Sequence, residues 1–149
     1  MPIFSISKSE NKNQVQYAVD VDEHCVPAGG TPVRAYWRML ELGPARTEAL
    51  LEREVPAYGM ASQSVEERRA EGGRVRLVLR ALASRPIDVE TGRAPNGACQ
   101  AWATMPLAGS PAHLFSVFAK IGWPASVESL LLRGWSLDGT HVVSETIRR

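Results

Sequence analysis

The stretch Pro32-Val-Arg-Ala-Tyr-Trp-Arg-Met-Leu-Glu41 decides the fold class. Its side chains alternate, with Val33, Ala35, Trp37 and Met39 on one face and Arg34, Tyr36, Arg38 and Leu40 on the other. Period-two alternation marks a strand with one buried and one wetter face. Trp37 is the largest anchor of the buried face.

Working outward, the same period recurs. Ile3 to Ser7 and Gln14 to Val21 read as two strands of a hairpin around Ser9-Glu-Asn-Lys-Asn13, a turn of residues that bond their own backbone or tolerate left-handed dihedrals. Val15, Tyr17, Val19 and Val21 point in; Gln14, Gln16, Ala18 and Asp20 point out. On the other side, Gly43-Pro44 breaks the central strand, and good helix formers follow. With Ala49, Leu50 and Leu51 as an apolar stripe and Pro56 as a stop, they predict one short α-helix at about residues 45–54.

Further strands are predicted over Arg74–Leu82, Pro86–Val89 as a short edge, and Ala98–Met105 as a central strand. His113–Ile121 follows, with Phe115, Val117, Ala119 and Ile121 opposite Leu114, Ser116 and Phe118. Val127–Arg133 precedes a final hairpin, Trp135–Leu137 and Thr140–Ile147 around Asp138-Gly139, the strongest short-range turn signal in the chain. The fold class is mainly β: one domain over residues 1–149, an antiparallel β-sandwich or barrel of about eight to ten short strands. Strands and helices do not alternate, which excludes a Rossmann-like sheet.

Composition bounds the function classes. The formal net charge of +1 gives no field for nucleic acid or an anionic membrane. No segment approaches the ~20 apolar residues of a membrane helix. The chain starts without a basic and apolar leader, so it is expected in the cytoplasm as given, and exported if a leader was removed. Cys25 and Cys99 have no metal-ligand spacing; buried reduced thiols are expected, with a single disulfide as the alternative.

No phosphate-binding glycine loop occurs, and Gly109-Ser110-Pro-Ala-His113 lacks the second glycine of a nucleophile elbow. His24, His113 and His141 are scattered, and Asp20-Val-Asp22-Glu23 lacks the glycine and closing glutamate of a calcium loop. No catalytic residue, metal ligand or cofactor site is therefore assigned. Three candidate surfaces remain. Arg34, Tyr36 and Arg38 with Arg74, Arg76 and Arg80 would form one anion-binding face if their strands are neighbours. Lys8, Ser9, Asn11 and Asn13 form a polar loop, and Trp37, Tyr58 and Trp102 are candidate pocket aromatics.

With these residues laid out, the chain resembles an uncharacterised bacterial family, domain of unknown function 4833. The resemblance rests on Ile6-Ser-Lys-Ser9, Asn11-Lys-Asn13, Val15-Gln-Tyr17, Pro32-Val-Arg-Ala-Tyr-Trp37 and Ala57-Tyr-Gly59. It continues through Val127, Leu131-x-x-Gly134 and Val143-x-Glu145, in the same order over nearly the whole length. It implies a single domain with no assigned activity, in a family with many members that look exported. The reading favoured is a non-enzymatic β-rich module that binds another protein or a second copy of itself. The alternatives are a lipocalin-like barrel for a small apolar or anionic ligand, and an uncharacterised enzyme.

Overall fold

The computed structural model describes residues 1–8, 13–39, 42, 46–122 and 126–148. Ser9, Asn11, Leu40, the Gly43-Pro44 break and Trp123 lie outside them. The described residues build eleven strands in one mixed sheet. In chain order they are β1 (Pro2–Lys8), β2 (Gln14–Val19), β3 (Val33–Arg38), β4 (Thr47–Ala49), β5 (Met60–Arg68) and β6 (Gly73–Leu79). Then come β7 (Ile87–Arg93), β8 (Cys99–Leu107), β9 (Ser110–Gly122), β10 (Ser126–Ser136) and β11 (Val142–Arg148).

The sheet runs β4-β3-β2-β1-β9-β8-β7-β6-β5, with the β10–β11 hairpin attached to β9. Each neighbouring pair is antiparallel except β1 with β9, which is parallel. β9 is long because it serves three partners. Its first residues, through Leu114, pair with β8, its later ones from Ser116 pair with β1, and its other edge pairs with β10. Two leaves thus leave β9, β1–β4 and β5–β8, and one hydrophobic cluster draws on both. The sheet does not close into a barrel. Its interior is filled by side chains with no solvent exposure, among them Val15, Tyr17, Leu77, Val117 and Leu132.

The change of partner on β9 falls at a β-bulge. Ser116 pairs with Arg133 and Leu114 with Gly134, so Phe115 is skipped. A bulge bends its strand and reverses the face that later side chains take. Ala112 and Leu114 are buried before it, Val117 and Ala119 after it. An unbroken alternation would put Leu114 on the face of Ser116 and Phe118; the bulge is the reason Leu114 is inside. Gly134 faces this kink, and a Cβ there would lie 2.6 Å from the His113 carbonyl oxygen.

The helix expected at about residues 45–54 is not formed. Thr47–Ala49 is instead the short strand β4, paired with Tyr36, Trp37 and Arg38. The apolar stripe of Ala49, Leu50 and Leu51 is too short to hold a helix on the core, and pairing with β3 wins. A 3-10 turn over Glu52–Glu54 leads into α1 (Val55–Tyr58), the single α-helix among the described residues. Pro56 sits in the first turn of α1, so it starts the helix it was expected to stop. β7 lies between β6 and β8, an interior strand rather than the edge expected of Pro86–Val89. Arg74–Leu82 is β6 only to Leu79, and Arg80–Leu82 turns as a 3-10 helix.

The loop between β2 and β3 fastens one leaf to the other. The Gly72 N–H donates to the His24 carbonyl at 3.0 Å, and Arg93 donates to the Glu23 carbonyl at 2.8 Å. Val33 and the Gln63 amide exchange two bonds, at 2.9 and 3.0 Å. Cys25 and Cys99 form a disulfide across the same seam, in place of the expected reduced thiols. The loop brings Cys25 to the start of β8, a juxtaposition that no local spacing reveals.

The β10–β11 hairpin, laddered to β9 through β10, is also tied to the body by Glu145. Its carboxylate accepts from both terminal nitrogens of Arg85 and, at 2.7 Å, from the Ala108 N–H. These donors, Arg85 first, hold the Glu145 carboxyl below its ordinary value of 4.5. A lowered folded-state value stabilises the fold above pH 4.5, and that contribution disappears as pH falls through the lowered value. Urea titrations from pH 6 to pH 2 should show Glu145→Gln with a shallower acid decline than the parent. Separately, a Cys25→Ser, Cys99→Ser pair is expected to lose about 2–5 kcal/mol of unfolding free energy. Reductant should lower the parent's denaturation midpoint and leave the double variant's unchanged.

Candidate functional site

Four of the candidate residues meet at one end of the first leaf. Lys8 closes β1, Asn13 precedes β2, Trp37 lies in β3, and Tyr58 ends α1. Lys8, Asn13 and Trp37 line a cleft of about 250 Å³ with Met39, Glu48, Ala49, Leu51 and Glu54. Tyr58 lies behind it, its ring edge-on to Trp37 at 5.4 Å.

The local sequence explains the arrangement. Trp37 alternates inward on β3 and is nearly buried, and its indole N–H donates to Glu54 at 3.0 Å. The other Glu54 oxygen accepts the Leu51 N–H at 2.8 Å, which fixes the carboxylate at the start of the 3-10 turn. Tyr58 is anchored from the core side, where the Tyr17 hydroxyl donates to its carbonyl. Burial, and then the nearby Glu54 charge, raise the Tyr58 phenol above its ordinary value. Burial drives the Tyr17 phenol further up, so both hydroxyls stay neutral donors.

The arginines are dispersed. β3 belongs to one leaf and β6 to the other, and the two strands are not neighbours. Arg34 makes a forked pair with Asp20 at 2.7 and 2.8 Å and lies over the Tyr36 ring at 5.8 Å. That pair lowers the Asp20 carboxyl and raises the Arg34 guanidinium. Arg76 pairs with Asp88 at 3.1 Å and Arg74 with Glu90 at 4.0 Å. Arg38 stands between Gln14 and Thr47, and Arg80 is exposed on its 3-10 turn. Each cross-strand carboxylate that meets an arginine removes it from a shared anion site.

Trp102 is on the far leaf, away from Trp37 and Tyr58. Its ring meets His113 edge-on at 6.0 Å, and His113 is the cross-strand neighbour of Trp135. These three residues and Gly139 line an open trough of about 520 Å³. Phe115, the bulge residue, leans on Trp135 at 5.9 Å. Trp135 is 45% exposed, and Leu137 and Val142 beside it are 54% and 49% exposed. The hairpin turn is set by Asp138, which accepts from the Ser136 and Thr140 hydroxyls and the Thr140 N–H. These bonds, Ser136 first, lower its carboxyl to about 2.

Among the described residues, no group of three or more His, Cys, Asp or Glu is placed to hold a metal. Asp22 accepts the N–H groups of His24 and Val26 at 2.8 and 3.0 Å, so the Asp20–Glu23 acidic run is turn chemistry. Sequence reasoning missed Glu48 and Glu54 because it read their segment as a helix. It missed the Trp135 surface because a tryptophan in an apolar strand reads as core.

The family model described as Domain of unknown function (DUF4833) matches residues 4–146. No curated protein and no solved structure matches the chain.

Trp37→Phe keeps an aromatic ring edge-on to Tyr58 and removes the donor to Glu54. It should cost about 1 kcal/mol in denaturant unfolding, with Glu54→Gln adding nothing in the Trp37→Phe background.

Proposed function

We propose that this chain, which belongs to the DUF4833 family, is a non-enzymatic assembly module that pairs with a second copy of itself through the outer edge of β11. The observation that carries this is the contrast between the strands that end the sheet. β4 is three residues long. β5 carries two register shifts and the charges of Glu66, Glu67 and Arg68, and its Gln63 is bonded to the opposite leaf. Short length, bulges and charge are the devices that keep an edge from pairing. β11 is neither short nor bulged among the described residues: it has seven residues in unbroken register with β10, with Val142, Ser144 and Thr146 exposed, and its charges are Glu145, paired with Arg85, and Arg148 at its end.

Two antiparallel β11 edges would make a self-complementary two-fold contact. It would continue each sheet through the partner and bring the Trp135, Leu137 and Val142 surfaces beside the new seam. Apolar side chains exposed together on one face favour such a contact. The Cys25–Cys99 disulfide supports a site of action in an oxidising compartment, where such bonds persist.

Light scattering over a hundredfold dilution tests the pairing. The parent should have twice the chain mass of 16.3 kDa at the concentrated end. Ser144→Lys with Thr146→Lys puts like charges on both copies, and should give a monomer with an unchanged circular dichroism spectrum. A parent that is monomeric throughout, or a dimer indifferent to both lysines, would contradict the proposal.

A further inference from the structure

We infer that the cleft between Lys8 and Glu48 is a binding site for a free α-amino acid with an apolar side chain. The inference is independent of the self-association reading, since the cleft lies at the β4 end of the sheet and β11 on the branch beyond β9.

The described lining residues fall into three chemically distinct parts. Lys8 supplies an ammonium, and no carboxylate among the described residues lies within ion-pairing distance of it. Glu48 supplies a carboxylate whose one ion pair among the described residues is an exposed contact of 3.9 Å to Arg46. Trp37, Met39, Ala49 and Leu51 supply apolar lining. Glu54 is excluded as a ligand group, because both of its oxygens accept N–H groups of the protein. Its role is to hold the indole of Trp37 in place.

A ligand that satisfies all three parts carries one positive charge, one negative charge and an apolar group. The α-carboxylate would face Lys8, and the α-ammonium would face Glu48 and the Trp37 ring, which attracts a cation as well. The side chain would lie on Met39 and Leu51. Size makes the same selection: drug-sized ligands occupy clefts of roughly 300–1,000 Å³, and this one is about 250 Å³. A purely anionic ligand would meet Glu48, and a purely cationic one would meet Lys8.

Isothermal titration calorimetry on the full chain tests the assignment with leucine, methionine and phenylalanine. Leucine methyl ester removes the negative charge and N-acetyl-leucine the positive one. At least one of the three amino acids should bind at millimolar concentration or below, and blocking either end of leucine should weaken its binding tenfold or more. Lys8→Met should abolish the preference for leucine over its ester, and Glu48→Gln the preference for leucine over its N-acetyl form. Thermal unfolding of both variants should match the parent, because neither side chain is in the core. No binding by any of the three, or blocked forms of leucine that bind as well as leucine, would overturn the inference.

Discussion

The bulge at Phe115 is the constraint on which the rest of the structure depends. Without it β9 would keep one face inward along all its 13 residues and could serve only one leaf. With it, the strand gives Ala112 and Leu114 to the core beside β8, then Val117 and Ala119 to the core beside β1. The parallel pairing of β1 with β9 follows from this. The chain's first and ninth strands share an edge only because β8 has vacated it at the kink. Gly134 is part of the same device, since the space facing the bulge is taken by the His113 carbonyl.

Closing the two leaves falls to loop and side-chain bonds rather than to a ladder. The β2–β3 loop, the Gln63–Val33 bonds and the Cys25–Cys99 disulfide span the seam where a barrel would have continuous strand pairing. Loop contacts of this kind leave the two ends of the sheet free of each other in hydrogen-bond register. That freedom accommodates β4 and the 3-10 turn, which wall the Lys8–Glu48 cleft.

The sequence was most legible where one strand meets its immediate neighbour. The pairing of β1 with β2, the alternation of β3 around Trp37 and the Asp138-Gly139 turn depend on local pattern and were readable, although Gln16 and Ala18, expected to point out of β2, are buried, Gln16 with its amide bonded to the Phe4 carbonyl. The convergence of Lys8, Asn13, Trp37 and Tyr58 was half legible. Each residue stood out by type and position, but their meeting depends on β4, whose three residues look helical in isolation. Less legible still were features set by distant partners. The Phe115 bulge changes the phase of an alternation that otherwise reads cleanly. The disulfide joins positions with no spacing rule, and the arginines of β3 and β6 look like one face until the topology separates their strands.

Hydrogen exchange along β9 tests the central role of that strand most directly. If one strand carries both leaves, the amides of 112–114 and of 116–119 should be protected together and exchange only through global unfolding. Their exchange free energies should match each other and the denaturant value. Loss of protection in one segment while the other stays closed would mean that the leaves open separately, and that β9 does not bind them into one fold.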